Sequence, residues 1–379
     1  MEILIAPNAF KNSLDATAVA NAIQKGLMQS KLSCTANCFP IGDGGDGTAA
    51  LLLRRFNGTI VTAEVHDPLG KKINTSFGLI DEGKTAIIEM ADASGLRLLK
   101  TEDYDPLHAT TFGTGELIIQ ALNKHVNKII IGIGGSATVD GSVGILEALG
   151  ARFLDDKNKM LMRMPESLSD LAHIDLSNLD KRIFDTELIV LCDVDNILLG
   201  DDGAAIIFGP QKGASVEEVK KLEAGLAKLR DIALHQKGID MSILKYGGAA
   251  GGTAAGLSVF LDAKLVNGIE YFLDITAFDE ALQKTDLVIT GEGSIDLQTL
   301  QGKGPFGVAC RAKKKNIPVI GVAGKIPLVA DIYLQQYFDV ILPINNEISD
   351  MDIALQNTSA NLTRTAKTIG DLLAIKNDQ

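Results

Sequence analysis

Apolar and polar positions along this chain follow two periods, one of about two residues and one of about 3.6, and the two take turns in order. Glu2 to Ala6 is a short apolar run that predicts a strand, and the polar loop PNAFKNSLD follows it. Asp15 then predicts a helix cap, because Ala16, Val19, Ala20, Ile23 and Leu27 recur at helical spacing behind it. A second strand ends in CFPI, the loop GDGGDGT comes next, and TAALLLRRF starts another helix. Strand, loop and helix repeated in this way is the pattern of a parallel sheet with its loops along one edge.

Near Thr62 the texture changes. The stretch EVHDPLGKKINTSFGLIDEGKTAIIEMADA reads as short strands joined by tight turns. A helix (GELIIQALNKH), a buried strand (KIIIGIGG), a helix (GSVGILEALG) and a strand (ARFLDD) follow, then the strand ELIVLC running into DVDN, and the long amphipathic helix SVEEVKKLEAGLAKLRDIALHQ. Parallel-sheet grammar returns in DLVITGEG, IPVIGVAG and DVILPI, and Asp350 to Ile375 reads as a closing helix. The expected organisation is therefore one parallel-sheet domain built from residues 1–62 and 286–379, interrupted by an inserted α/β domain over residues 63–285.

Residues 78–85, GLIDEGKT, satisfy the P-loop expression G-x-x-x-x-G-K-[ST]. A working P-loop needs a strand before it and a helix after it, so that backbone N–H groups converge on phosphate. Here both flanks are apolar and β-like, so Asp81 to Gly83 is expected to be a hairpin turn.

Charge and cysteine content narrow the function classes. The formal net charge is −12 with the acids spread along the chain, which lacks the basic footprint of nucleic-acid or anionic-membrane binding. Cys34, Cys38, Cys192 and Cys310 are too few and too scattered for a disulfide framework, so reduced thiols and a cytoplasmic location are expected. The start MEILIAPN reads neither as a leader nor as an anchor, and no apolar run approaches ~18 residues.

Five loops combine Gly with Asp, Ser or Thr, each after an expected strand: Pro7–Ser13, Gly42–Thr48, Gly132–Gly141, Cys192–Asn196 and Gly291–Asp296. Glycine lets backbone approach a ligand closely, and adjacent carboxylates hold a cation or accept a proton. Together they point to one anionic-ligand site. GIGGSATVDG also carries G-x-G-x-x-A with Asp155 about twenty residues on, the fingerprint of a dinucleotide site. An NAD(P)-dependent hydroxy-acid dehydrogenase explains that loop but leaves GDGGDGT, CDVDN and GEGSID without a role. A non-catalytic anionic-ligand-binding protein has no need of so many carboxylates.

APNAFKNSL, DGGDGT, GIGGSATVDGS, CDVDNIL, FGPQKGA and TGEGSIDLQTLQGKGP run in this order along the chain. In these motifs the sequence resembles the type 1 glycerate kinases over essentially its whole length. Asn8 stands where that family often has Asp, Val139 where it has Asn, and Ser294 where it has Arg. The resemblance implies two α/β domains, one Rossmann-like, with the active site in a cleft between them. It also implies ATP and Mg²⁺ as cosubstrates and transfer of the γ-phosphoryl group to D-glycerate, with 2-phosphoglycerate favoured over 3-phosphoglycerate. The partners expected are these small molecules, for a monomer or homodimer.

Phosphoryl transfer needs an oriented hydroxyl, a metal held by carboxylates and positive charge on the migrating group. Asp193 is the candidate metal ligand or base, Glu292 and Asp296 are candidates for metal or nucleotide, and Asp43 or Asp46 for base or partner of the substrate hydroxyl. Lys11 is a candidate for the glycerate carboxylate or a phosphate, in a loop that also offers Asn8 and Ser13. Lys212 and Lys303 are long cations in Gly-rich loops, suited to phosphate. With them go Gly134, Gly135, Ser136 and Thr138 in one nucleotide loop and Gly291 and Gly293 in another, although capping a helix would use Ser136 and Thr138 as well.

Overall fold

The computed structural model describes residues 1–162, 164–329, 331–347 and 350–375. The chain forms two compact α/β units. The first contains Met1–Asp43 and the described residues from Ile269 onward, and the second is Gly44–Gly268.

The opening arm of the first unit runs from strand β1 (Glu2–Ile5) through a helix at Ala16–Met28 to strand β2 (Thr35–Cys38). The helix starts where the sequence places its cap: the Asp15 carboxylate accepts from the Ala18 N–H at 2.8 Å. The face formed by Ala16, Val19, Ala20, Ile23, Gly26 and Leu27 is buried.

The second unit holds a six-stranded sheet. Its strands are β3 (Thr59–His66), β4 (Lys72–Ile80), β5 (Thr85–Glu89) and β6 (Lys128–Gly132); β7 (Arg152–Leu154) and β8 (His173–Asp175) form a separate antiparallel ribbon, and β9 (Glu187–Cys192) and β10 (Lys264–Asn267) complete the sheet. The order is β10-β9-β6-β5-β4-β3, with β5, β6, β9 and β10 parallel and β3 and β4 antiparallel. GLIDEGKT is the β4–β5 hairpin: Ile80 lies opposite Thr85, and a single turn at Asp81–Gly83 joins the strands. No helix follows, so this segment lacks the N–H cluster a P-loop requires.

The two units divide after Asp43 and after Gly268, where the periodicity placed boundaries at 62 and 286. The cause is tertiary. The helix Thr48–Arg55 packs on β4 and β5, and β3 pairs with β4 along its whole length, so residues 44–62 belong with the second sheet. At the far boundary, the helix Gly268–Ile275 is tied to the helix Gly304–Lys314 by Arg311, which pairs with Glu270, Asp274 and Asp279 at 2.5–2.9 Å.

On its return the chain supplies β11 (Leu287–Ser294), β12 (Val319–Lys325) and β13 (Val340–Pro343) to the first unit. With β1 and β2 they make a five-stranded, fully parallel sheet in the order β13-β12-β11-β1-β2. DLVITGEG was expected as a strand with GEGSID as the loop at its end; β11 takes in the first four residues of that loop, because pairing with β12 extends to Ser294 opposite Lys325. The closing helix is broken at Asn357 into Met351–Gln356 and Thr358–Ile375.

Thr358–Ile375 covers the helix Ala16–Met28 at very close range. A β-carbon on Gly26 would lie 2.2 Å from the Thr363 carbonyl oxygen, which is backbone and cannot swing aside. Gly26→Ala is therefore expected to push the first and last helices apart and lower stability by roughly 1–3 kcal/mol. A urea titration of the full chain measures this, and an unchanged midpoint would show that the contact is loose.

Candidate active site

In the second unit the carboxyl ends of β6 and β9 carry two of the loops singled out by the sequence, Gly132–Gly141 and Cys192–Asn196, and the Gly44–Thr48 part of a third lies against the first of them. The Gly44 carbonyl accepts from the Gly134 N–H at 3.1 Å. A β-carbon on Gly134 would stand 2.5 Å from the Gly45 Cα and 3.2 Å from Asp193 Oδ2, and one on Gly135 would stand 2.9 Å from Asp46 Oδ1. These glycines therefore let the two backbones touch, with the carboxylates of Asp46 and Asp193 against the same loop.

Lys212 is buried beneath that loop, and Ser136 within the loop is buried too. The Lys212 ammonium donates to Ser136 Oγ at 2.8 Å and to the Thr138 carbonyl at 2.7 Å, so here it staples the loop from within. Burial pushes its pKa down to about 7, against the support of Asp140 and Asp193. Thr138 is fully buried and its Oγ1 has no protein partner. Asp140 accepts from the N–H groups of Thr111, Ser142 and Gly144 and from Thr111 Oγ1 at 2.8–3.1 Å, which fixes the start of the helix Val143–Ala148.

Arg97 was not identified from the sequence. Its guanidinium lies 3.5 Å from Asp46 and 3.8 Å from Glu89, and it is paired with Asp92. Glu89, at the end of β5, accepts from the Ala49 N–H at 2.7 Å, and burial raises its pKa. The one signal in the sequence was an Arg in the apolar run SGLRLL shortly after a strand ending in Glu.

In the first unit the loop after β1 runs beside β11. The Asn8 N–H donates to the Gly291 carbonyl at 2.8 Å, and Asn8 Nδ2 donates to Asp43 Oδ2 at 2.7 Å. Thr299 Oγ1 donates to Glu292 at 3.0 Å and Ser294 Oγ to Asp296 at 3.2 Å. Glu292 is pushed up to about 7, chiefly by burial and further by Asp43, while Lys303, Thr299 and Lys11 oppose the shift. Asn8, Lys11, Asp43, Glu292 and Lys303 thus share one electrostatic neighbourhood. Ser13 is committed elsewhere, donating to the Leu355 carbonyl at 2.7 Å.

Comparison with known proteins matches residues 3–374 to the glycerate kinase family. The chain belongs to this family. It is similar to the glycerate 2-kinase of Escherichia coli K12, at 42% identity over 99% of this chain and 98% of that one, and to the glycerate kinase of Bacillus subtilis 168, at 42% over 97% of each. A crystal structure of a protein provisionally assigned as glycerate kinase 2 from Salmonella typhimurium LT2 superposes with a TM-score of 0.84 at 42% identity and covers all of both chains. The enzyme is accordingly a phosphotransferase with two α/β domains.

Some readings of the glycerate kinase sequence meet structural facts here. Among the described residues no group of three or more His, Cys, Asp or Glu side chains is arranged to hold a metal, and all four cysteines are free. His66, His108 and His173 are engaged by Glu116, Asp105 and Gln236. No helix among the described residues is long and apolar enough to cross a membrane.

Lys212 gives a pH test with a definite sign. Between about 7 and 10.5 the unfolded chain holds this proton and the folded chain does not. This group alone therefore makes stability rise with pH across that window, by at most about 1.4 kcal/mol per pH unit, and fall as pH drops back towards 7. Lys212→Met removes the dependence. In urea titrations the stability of the variant relative to the parent is expected to be greater at about pH 7 than at about pH 9.5. A difference that does not move with pH would mean the ammonium is solvated.

Proposed function

We propose that the enzyme transfers the γ-phosphoryl group of ATP to the C2 hydroxyl of D-glycerate, yielding 2-phosphoglycerate and ADP. The observation that carries this reading is the neighbourhood of Glu292, where two carboxylates and two lysines meet beside Asn8. A small polyhydroxy acid needs such a set: a cation for its carboxylate and oxygen acceptors for its hydroxyls. Lys11 takes the carboxylate, and Asp43, held by Asn8, takes a hydroxyl of glycerate. The printed name of the E. coli relative, glycerate 2-kinase, supports C2 as the acceptor.

Mg²⁺ suits the donors present. They are oxygen-only, and Mg²⁺ is usually held by one or two carboxylates with the rest of its shell from phosphate and water. Asp43 raises the pKa of Glu292, a like-charge conflict that a divalent cation relieves. Glu292 and Asp296 in the first unit, or Asp193 in the second, would hold the ion, which supplies neutralisation of phosphate charge when bound.

The chain itself must accept the proton released by the acceptor hydroxyl. Asp193, at the carboxyl end of β9 beside Gly134, is the carboxylate assigned to it. Asp193→Asn keeps the shape and removes the charge, so kcat is expected to fall by ~10²–10⁴-fold with the fold retained. A folded variant with near-parental kcat would reduce Asp193 to a structural residue.

The site of phosphorylation has a direct readout. With the glycerate carboxylate anchored, the C2 and C3 hydroxyls hang from carbons one C–C bond apart, and a misplacement of ~1 Å can cost ~10²-fold, so one product should dominate. In proton-coupled phosphorus NMR the product signal is expected as a doublet, from the single proton on C2. A triplet would identify 3-phosphoglycerate and overturn the C2 assignment while leaving the kinase reading intact.

A further inference from the structure

The first unit has a topological reversal at its centre. From β1 the chain moves outward to β2 on one side, and from β11 it moves to β12 and β13 on the other. In open parallel sheets ligands lie outside the carboxyl ends of the strands at such a reversal. Here that place holds the Asn8–Lys11 loop, Glu292 and the segment leading to Lys303.

Glycerate accounts for only part of this edge. Each of its three carbons carries oxygen, so apolar surface is of no use to it. Yet apolar side chains are exposed along the same edge: Leu297 in the turn after β11, Leu328 after β12, and Ile332 and Tyr333 at the start of the next helix. That helix, Ile332–Gln335, packs against the turn Leu297–Gln301, which puts Ile332 and Tyr333 at the same edge as Leu297, and Leu328 precedes the helix in the chain. Lys303 follows the turn directly, and Thr299 within it bonds Glu292. An apolar surface beside a charged rim suits a ligand that has both parts, and a nucleotide is such a ligand.

We propose that ATP binds on the first unit, with its phosphate chain on Lys303 and its base against the surface formed by Leu297, Leu328, Ile332 and Tyr333. The assignment rests on the kinase reading above and goes beyond it by separating two anion sites within one unit. Lys303 serves the nucleotide and Lys11 the glycerate carboxylate.

Two measurements on the full chain test this. Lys303→Met is expected to raise the Kd for ATP, measured calorimetrically without glycerate, by about tenfold to a hundredfold, since charged hydrogen bonds contribute roughly 1.5–3 kcal/mol. The KM for glycerate should stay within about twofold, and Lys303→Arg should recover most of the ATP affinity. The second measurement needs no variant. Photolabelling of the parent enzyme with an azido-adenine analogue of ATP is expected to modify the tryptic peptides 285–303 or 326–364, with ATP protecting and glycerate not. Label confined to residues 44–268, or a Lys303→Met enzyme that binds ATP as the parent does, overturns the assignment. If the parent shows ATP-protected label on the expected peptides but forms no ADP with glycerate, the nucleotide site stands and the substrate reading falls.

Discussion

The pairing of β1 with β11 is the constraint on which the rest of this structure depends. Ile3 lies opposite Leu287, and the match continues beyond the end of β1 through Ala6 N–H to the Ile289 carbonyl, Asn8 N–H to the Gly291 carbonyl and Thr290 Oγ1 to the Ala6 carbonyl. Those few bonds bring the first loop of the chain beside Glu292. They also join segments more than 280 residues apart in sequence, so the first unit cannot complete its sheet until most of the chain exists. The Gly44–Gly268 unit is contiguous in sequence, so its partners are all available earlier during synthesis.

In each unit burial has moved a titratable group towards neutrality, and the two come from opposite directions. Glu292 has come up to about 7 and Lys212 down to about 7. The outcomes differ because the neighbours differ. Lys212 has two neutral oxygen acceptors and is fixed in place, while Glu292 has a single hydroxyl and stands among charges of both signs. An acid in that position changes its proton occupancy easily when a charged ligand arrives.

The sequence was most legible where an element's own faces decide its form. The Asp15 cap, the helix behind it and the hairpin within GLIDEGKT follow from local chemistry and from burial on one side. It was least legible where a distant segment decides. β11 runs on to Ser294 because β12 lies alongside it, and residues 44–62 join the second sheet because β4 and β5 are there to receive them. The same limit applies to the site. A lysine among glycines reads as a free cation, yet Lys212 is buried on Ser136 and Thr138; Ser13 reads as available, yet it holds Leu355; Arg97 carries no local mark of the three carboxylates that surround it. Periodicity reports which side of an element is covered, not what covers it.

The outermost strand of the first sheet, β13, ends at Pro343. The next residue, Ile344, donates its N–H inward to the Ala323 carbonyl, and successive residues of a strand point their donors to opposite sides. Position 343 therefore faces away from the sheet, and proline has no N–H to offer there. Of the strand's two outward positions, 341 and 343, only Ile341 keeps a donor. A passing chain that tried to add itself as a sixth strand would find the hydrogen-bond ladder interrupted after one rung, which protects this edge against the edge-to-edge association by which exposed sheets aggregate.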